Sequence, residues 1–426
     1  MATSKNALKC SICGKSRNEV EVLISGQFGN ICDGCTEQSM AVLAENKGLT
    51  FDDDDEDDDV ELNYGSKKKP IPKLHIKKPQ EIKNFLDEYV IGQDDAKRSM
   101  AVGVYNHYKR LMFKDKKNDD VEIEKSNMVF VGETGTGKTL IARTIAKLLN
   151  VPFAIVDATL FTEAGYVGED VESILSRLLQ TCDYNVESAE RGIVYIDEID
   201  KISRKSDNPS LTRDIKEGVQ QALLKLLEGS EVMVPPQGGR KHPEQKMIKV
   251  NTRHILFLCG GSFEGIDKII SRRIQTNSIG FSVNRNKQED AKENLLQYVN
   301  AQDLKTYGLI PELIGRLPVV TYLKPLDKET LKRILIEPKN SLVKQYKKLF
   351  SLEDIALQVD DEVYDFIVDK ALEFKLGARG LRGIFETLLT DAMFELPSSN
   401  VKSFTLTINY AIEKFSKSKV YKLQSA

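Results

Sequence analysis

The chain has 426 residues, of which 41% are hydrophobic and 29% charged, and its formal net charge is -3. This length is too great for one ordinary hydrophobic core, so two or three folded units are expected, and a peptide hormone or a small disulfide scaffold is excluded. The balanced charge argues against a surface built throughout to coat nucleic acid or anionic membrane. Residues 1–9 lack the apolar stretch of a secretory signal, and no run of about 18 apolar residues occurs, so a cytoplasmic protein is expected.

Four of the six cysteines form the pattern C-x2-C-x18-C-x2-C, namely Cys10, Cys13, Cys32 and Cys35. This spacing lets two turns each present a pair of thiolates to one tetrahedral Zn²⁺. Gly14 and Gly34 stand where tight turns need residues that can take a positive φ. Because no histidine ligand or open position is evident, we predict a structural zinc site, with four unrelated thiols as the alternative. Cys182 and Cys259 are expected to be small buried apolar residues.

A strongly charged stretch follows the cysteine module. Eight consecutive acids at 52–59, three lysines at 67–69 and the sequence Pro-Ile-Pro at 70–72 cannot form a core. Self-repulsion and proline predict an extended linker over residues 51–75, which joins a zinc-binding domain, residues 1–50, to the rest of the chain. A charged docking tail is the alternative.

Residues 76–323 alternate between short β-rich segments and helical patterns, which predicts an α/β domain with a parallel sheet covered on both faces. The predicted strands are 127–131, 153–157, 193–196, 255–259 and 319–322, with helices such as 140–149 and 171–180 between them. Residues 324–426 are mainly helical, so a smaller second domain is the simplest account. Its predicted helices are 328–336, 341–350, 362–373 and 380–394, followed by a β-like run at 403–409.

The segment after the first predicted strand matches the phosphate-binding pattern G-x-x-x-x-G-K-[ST] and leads into a helix. Its glycines let backbone N–H groups surround the β-phosphate of ATP, while Lys138 reaches the β and γ oxygens and the Thr139 hydroxyl ligates Mg²⁺. The predicted nucleotide-binding residues here are Gly132, Glu133, Thr134, Gly135, Thr136, Gly137, Lys138, Thr139 and Leu140.

A second apolar strand, 193–196, ends in two acids, Asp197 and Glu198. Asp197 is expected to hold Mg²⁺ through water, and Glu198 to polarise the attacking water, with helix caps as the alternative role. Phosphoryl transfer also needs positive charge beyond that of the P-loop lysine. Arg316 and Arg379 are the candidates for it, although either could be a surface arginine.

Over nearly its whole length the chain resembles the ClpX family of AAA+ ATPases, unfoldases that feed the barrel-shaped peptidase ClpP. The segments that carry the resemblance are the four-cysteine module and residues 90–93, 160–170, 196–198, 308–318 and 377–382. The resemblance implies an AAA+ P-loop NTPase with a five-stranded parallel sheet, a small helical C-terminal domain and an N-terminal zinc module. It also implies ATP, Mg²⁺ and Zn²⁺ as cofactors.

The resemblance assigns further residues to the nucleotide site. Val90 and Ile91 would pack on adenine, and Arg316 would reach the ATP of a neighbouring subunit as an arginine finger. Arg379 would sense the nucleotide of its own subunit. The implied assembly is a homohexameric ring.

Four loops of the resemblance concern macromolecules. Gly165, Tyr166, Val167 and Gly168 look like a pore loop whose aromatic ring grips a threaded chain, with a packed turn as the alternative. Arg240, Lys241 and His242 resemble a basic loop that receives substrate tags, and 204–213 resembles a second pore loop; both could equally be solvated turns. Ile279, Gly280 and Phe281 match the loop that docks on ClpP, and two large apolar residues in a polar stretch suit a docking anchor. A loop folded onto its own domain is the alternative.

The chain departs from the family pattern at three places. Glu133 stands where the family usually has proline, and 214–218 is shorter and less glycine-rich than usual. No polar residue is evident at the end of the fourth predicted strand, at 259–261.

Taken with the resemblance, these features favour an ATP-dependent unfoldase and translocase, the specificity component that threads substrates into ClpP and acts as a chaperone without it. Expected partners are ClpP, protein substrates and adaptors. The chain itself should not cleave peptides, because it shows no Ser-His-Asp set with supporting context. The alternatives are a stand-alone AAA+ remodelling chaperone or a nucleic-acid motor. The motor is disfavoured because the cysteine window holds only Lys15 and Arg17 as bases.

Overall fold

A computed structural model describes residues 9–25, 29–39, 76–112, 123–161, 170–204, 210–235, 247–277, 295–374 and 376–417. The chain divides into two compact units, Met1–Pro70 and Ile71–Ala426. The predicted linker, 51–75, lies outside the described residues. Among the described helices, none is both long and apolar enough to cross a membrane.

The first unit is built around a β-hairpin. Strands β1 (Leu23–Ser25) and β2 (Asn30–Cys32) pair antiparallel, with Leu23 opposite Cys32, and a helix over residues 33–39 (α1) follows directly. Its apolar cluster consists of Cys10, Cys32 and Cys35 with the half-buried Val20, Leu23 and Ile31. A cluster of this size cannot stabilise a fold alone, so the unit needs a further cross-link such as a metal.

The first seven strands of the second unit are β3 (Met128–Val131), β4 (Phe153–Asp157), β5 (Ile193–Asp197), β6 (Glu231–Val234), β7 (Ile248–Asn251), β8 (Leu256–Gly261) and β9 (Val319–Tyr322). Five of them form a parallel sheet in the order β4-β5-β8-β3-β9, and β6 and β7 pair as a separate antiparallel hairpin. All five predicted strands are present, but β8 ends two residues later than predicted, and the hairpin was not predicted.

Alternate residues of the sheet enter two different cores. On β3, Val129 and Val131 pack on one side while Met128 and Phe130 pack on the other, and all four are fully buried. Each such large apolar side chain contributes about 1.5–3 kcal/mol on burial. On the Phe130 side lie α2 (Pro79–Asp87), α3 (Asp94–Met112) and α4 (Lys138–Leu149). On the Val129 side lie α5 (Ser173–Gln180), α6 (Val186–Ala189), α7 (Ser210–Glu228), α8 (Ile266–Asn277), α9 (Ala301–Tyr307) and α10 (Pro311–Gly315). The predicted sheet with helices on both faces is confirmed.

After β9 the chain enters a mainly helical part with its own core, as predicted. Its helices are α11 (Lys328–Ile336), α12 (Leu342–Ser351), α13 (Asp361–Glu373), α14 (Gly377–Glu395) and α15 (Ile408–Lys417). A pair of parallel strands, β10 (Ala356–Val359) and β11 (Ser403–Leu406), places Leu357 opposite Phe404. Only β11 was predicted, and its predicted run, 403–409, extends too far, because the strand stops at Leu406 and α15 begins at Ile408. β10 was missed because its partner lies more than 40 residues away in sequence.

Gly308 fixes the loop after α9. Its φ is 123°, and an added Cβ would lie 2.2 Å from the carbonyl oxygen of Arg204. The two residues are also joined by a hydrogen bond in which the Arg204 N–H donates to the Gly308 carbonyl at 3.0 Å. The backbones therefore cannot separate without losing that bond.

We predict that Gly308→Ala lowers the free energy of unfolding by about 2–4 kcal/mol, since it combines backbone strain with a clash against another backbone. Gly383 is the matched control, because it is exposed in α14 and its added Cβ meets no atom from elsewhere within 4 Å. Gly383→Ala should raise stability by up to about 1 kcal/mol. Urea unfolding followed by circular dichroism measures both, and equal midpoints for the two variants would refute the close approach at Gly308.

Candidate functional site

The P-loop connects the carboxyl end of β3 to the first turn of α4. Gly135 and Gly137 have φ of 87° and 106°, values that residues with a side chain rarely adopt. The Thr136 hydroxyl donates to the carbonyl of Glu133 at 2.8 Å, which closes the loop on itself. The loop thus presents the positive end of a helix to the space above the sheet, an arrangement that binds phosphate.

Lys138 lies inside this loop and is 8% exposed. Its ammonium group donates to the carbonyl oxygens of Gly132 and Glu133. Burial lowers the pKa of Lys138, and the nearby carboxylates of Asp197 and Asp200 act against that shift. A phosphate oxygen could replace the carbonyls as acceptor without the side chain leaving the loop.

β5 ends in Asp197, whose two carboxylate oxygens have different partners. Oδ2 accepts a hydrogen bond from the Thr139 hydroxyl at 3.2 Å, and Oδ1 accepts from the backbone N–H of Glu198 at 3.0 Å and from the Tyr195 hydroxyl at 3.4 Å. Burial raises the pKa of Tyr195. A hydroxyl and a carboxylate side by side are the oxygen ligands that suit Mg²⁺, so the donor set fits the predicted ion.

Glu198 follows in a strained conformation. Its φ of 56° and ψ of 33° lie in the left-handed region, although it is not glycine. Strain of this kind costs about 1–3 kcal/mol and is concentrated at functional sites. Glu198 is exposed and lines a cavity next to the P-loop.

A cavity of about 350 Å³ lies at this edge of the sheet. The predicted residues that line it are Thr134, Gly135, Gly137, Lys138, Thr139, Leu140, Asp197, Glu198 and Arg379. Arg379 arrives from the helical part because the first turn of α14 lies on the P-loop. A Cβ added to Gly135 would be 3.7 Å from the Ala378 nitrogen and 4.0 Å from that of Arg379. Three separate regions of the fold therefore meet around one cavity.

The four cysteines form a second candidate site, in the first unit. Their sulfur atoms all lie within 4.8 Å of one another, and those of Cys13 and Cys32 are 3.5 Å apart. Zn–S bonds of about 2.3 Å in a tetrahedron require sulfur atoms roughly 3.8 Å apart, so the cluster fits zinc.

The protein alone does not ionise these thiols equally. Backbone N–H groups, chiefly that of Cys13, lower the pKa of Cys10 to about 6, whereas the neighbouring sulfur of Cys13 raises that of Cys35 to about 12. Four thiolates therefore require a bound cation. Gly14 has the predicted positive φ of 79°, but the expectation for Gly34 was wrong, because that residue lies within α1.

Comparisons with known proteins cover both the cysteine module and the P-loop region. Three family models match, the ClpX C4-type zinc finger over residues 8–45, the AAA domain (Cdc48 subfamily) over 123–320, and the C-terminal, D2-small domain of ClpB protein over 326–406. The chain is 59% identical to the ATP-dependent Clp protease ATP-binding subunit ClpX of Bacteroides thetaiotaomicron and to that of Bacteroides fragilis. Each alignment includes 100% of this chain and 100% of the relative. The chain belongs to the ClpX family. The corresponding subunit of Porphyromonas gingivalis is 56% identical over 96% of this chain and 97% of its own.

Several residues that the ClpX resemblance singled out lie away from the cavity lining. Val90 and Ile91 are buried between α2 and α3, and their neighbour Gln93 reaches the carbonyl of Thr136 in the P-loop at 3.4 Å. Arg316 follows α10 and pairs with Glu228 at 3.0 Å, with about half of each side chain exposed.

The macromolecular loops of the ClpX resemblance fall outside the described residues. These are Gly165–Gly168, Arg240–His242 and Ile279–Phe281. The predicted second pore loop, 204–213, needs a correction at its end, because α7 begins at Ser210 and its last four residues are helical. Of the two isolated cysteines, Cys259 is fully buried as predicted, whereas Cys182 is only half-buried.

Five further residues line the cavity that the sequence reasoning did not assign to it, namely Asp200, Lys201, Ser262, Glu264 and Ala378. Ser262 donates to Asp200 twice, from its backbone N–H and from its hydroxyl, both at 3.1 Å. Asp200 is 1% exposed, so this pair joins the ends of β5 and β8 beneath the cavity. The polar residue sought at 259–261 was missed because β8 extends to Gly261, and Ser262 is the first residue beyond it.

We predict that the ClpX-type finger binds one zinc ion per chain and that chelation unfolds residues 9–39, since the apolar cluster alone is too small. Metal analysis and amide hydrogen exchange measure this. Cys32→Ser should lose the metal, while the matched change Cys182→Ser should keep it. Full zinc content in Cys32→Ser would place the metal elsewhere.

Proposed function

We propose that this chain is an ATP-dependent protein unfoldase and translocase that prepares substrates for a separate peptidase. The observation that carries the proposal is the cavity in which the P-loop, the end of β5 and Arg379 converge. Membership of the ClpX family supports it, and the relatives are named as ATP-binding subunits of an ATP-dependent protease. ATP hydrolysis is the chain's own chemistry, and peptide cleavage belongs to the partner.

The roles of the cavity residues follow from their positions. Lys138 and the P-loop N–H groups bind the phosphates. Thr139 and Asp197 would hold Mg²⁺, which would supply positive charge against the phosphates. Glu198 accepts a proton from the attacking water, because it lines the same cavity one residue beyond the carboxylate that faces the ion.

The two arginines differ in where they can act. Arg379 lines the cavity of its own chain and can respond to that chain's γ-phosphate. Arg316 is half exposed and does not line this cavity, so it acts on the ATP of a neighbouring subunit in a homohexameric ring. A site completed by two subunits couples hydrolysis to movement between them. Val90 and Ile91 contact adenine beside the P-loop.

Substrate handling is assigned to the remaining family segments. Tyr166, flanked by Gly165, Val167 and Gly168, grips the threaded chain, and Arg240, Lys241 and His242 receive substrate tags. Ile279, Gly280 and Phe281 dock on ClpP. The proposed domains are a zinc-binding module at 1–50 that takes adaptors, a linker at 51–75, a large ATPase domain at 76–323 and a small domain at 324–426. A cytoplasmic location completes the proposal.

The proposal is tested by following the fluorescence of a stably folded reporter that carries a degradation tag. We expect ATP-dependent loss of fluorescence with ClpP and release of peptides only when ClpP is present. Unfolding without any response to ClpP would favour a stand-alone remodelling chaperone. ATP hydrolysis that is stimulated by DNA but not by the reporter would favour a nucleic-acid motor.

Glu198→Gln should slow ATP hydrolysis by at least about 10²-fold through loss of the general base, while ATP and Mg²⁺ still bind because Lys138, Thr139 and Asp197 remain. Steady-state hydrolysis and fluorescent-nucleotide binding separate the two effects. Glu264→Gln is the matched control, because Glu264 lines the same cavity. Hydrolysis at the wild-type rate in Glu198→Gln removes Glu198 from the mechanism.

Phe281→Ala should abolish degradation with ClpP and leave ATP hydrolysis and unfolding intact. Burial of Phe281 in a partner cleft is worth about 1.5–3 kcal/mol per side chain, and repetition around a ring multiplies the loss through effective concentration. Peptide release and hydrolysis are measured on the same preparation. If the variant loses ATPase activity but still binds ClpP, the loop belongs to the chain's own core.

A further inference from the structure

The short segment at residues 88–95 follows α2 and includes the first two residues of α3. It contacts the chain on both sides of the connection from the sheet to the helical part. The connection leaves β9 at Tyr322 and reaches α11 at Lys328. We call residues 88–95 the strap. It also contains Val90 and Ile91, to which the proposed function assigns adenine.

Gln93 makes the central contact of the strap. Its side-chain oxygen accepts from the backbone N–H of Lys324 at 2.8 Å, and its side-chain nitrogen donates to the Lys324 carbonyl at 2.9 Å. The same nitrogen lies 3.4 Å from the Thr136 carbonyl in the P-loop. Gln93 is 6% exposed, so these hydrogen bonds are shielded from water and are costly to lose. One buried amide thus bridges the P-loop and the connection.

The backbone of the strap has a strained conformation where it carries the Gln93 side chain. Gly92 and Gln93 have φ of 64° and 61°, both left-handed, and Gln93 has a side chain that disfavours this conformation. Such strain persists only where surrounding contacts hold the backbone in the strained conformation. Positions of this kind are concentrated at functional sites.

The ends of the strap hold both sides of the connection. Before it, the Tyr322 hydroxyl donates to Asp95 at 2.7 Å. Beyond it, the backbone N–H of Lys339, between α11 and α12, donates to the Glu88 carbonyl at 2.8 Å, and the Lys339 ammonium pairs with the Glu88 carboxylate at 2.6 Å. The ion pair is exposed and weak, so the backbone bond carries more of this contact.

We propose that the strap orients the helical part so that Arg379 faces the P-loop, with Gln93 as the positioning residue. This proposal rests on the function assigned to Arg379 above. The first turn of α14 reaches the P-loop at Gly135, while the connection is held by an amide that also reaches the P-loop at Thr136. Residues next to the adenine contact therefore set the position of an arginine that lies more than 280 positions away in sequence.

A double-mutant cycle on the full-length chain tests this coupling. Gln93→Met keeps the size of the side chain and removes its hydrogen bonds. We expect it to lower kcat for ATP hydrolysis about tenfold when Arg379 is present. In an Arg379→Ala background the loss should be less than about twofold, because the side chain that Gln93 positions is already missing. Affinity for ADP should change less than about threefold. Gln80→Met is the matched control, since Gln80 is exposed on α2 and its side chain donates to Asn84 of the same helix. The same tenfold loss in both backgrounds, or no loss, would overturn the proposal.

Hydrogen exchange gives a second readout that does not depend on activity. Gln93→Met should speed amide exchange over residues 319–340, where the Lys324 and Lys339 N–H groups are bonded, and Gln80→Met should not. Exchange unchanged from wild type overturns the strap even if hydrolysis falls. Faster exchange with no effect of Arg379→Ala on hydrolysis retains the strap and refutes only the role of Arg379.

Gln93→Gly covers the case in which Gln93→Met unfolds the chain. Glycine accepts a φ of 61° without strain, so this variant removes the side-chain contacts while favouring the native backbone. It should give the same non-additivity with Arg379→Ala and the same faster exchange over 319–340. Wild-type exchange and additive kinetics in Gln93→Gly would refute the proposal.

Discussion

Parallel pairing of β5, β8 and β3 is the constraint on which the nucleotide cavity depends. Val131 lies opposite Gly261, and the Gly132 N–H donates to the Gly261 carbonyl at 3.2 Å, so these strands end level with each other. The P-loop, Asp197 and Ser262 therefore leave the sheet at one edge. A shift of one residue in strand register would turn the side chains of a strand toward the opposite core. Because both faces of this sheet are packed, such a shift is disfavoured. Packing of the core thus fixes the chemistry above it.

The opposite end of the sheet is held by a buried amide. Asn127 is 1% exposed and stands just before β3. Its side chain donates to the carbonyls of Leu227 and Arg316 at 3.3 and 3.0 Å and accepts from the Phe257 N–H at 3.2 Å. One side chain therefore ties α7, β8 and the loop after α10 together. The backbone of Arg316 is anchored in the core, while its half-exposed side chain pairs with Glu228.

Local patterns explain why much of this was predictable. The glycines and lysine of the P-loop, the acids after β5 and the paired cysteines each act within a few residues of one another, and their spacing carries the chemistry. Ser262 was missed because its role depends on Asp200, 62 positions away, and on the last two residues of a strand whose end was misplaced. The β10-β11 pair and the contacts of Gln93 with Lys324 depend likewise on long-range packing, which no local period reports.

The ion pairs of Arg273 and Arg316 differ in how deeply they are buried. Arg273 donates through two nitrogens to both carboxylate oxygens of Asp303, at 2.7 and 2.9 Å, and Asp303 is 1% exposed, so breaking this pair would leave a buried charge without a partner. The pair of Arg316 with Glu228 is half exposed and contributes about 0–1 kcal/mol. A phosphate offers Arg316 a stronger bidentate partner than this solvated carboxylate. Arg316 can therefore exchange partners at little cost in stability, as its proposed action on the ATP of a neighbouring subunit requires, whereas Arg273 cannot.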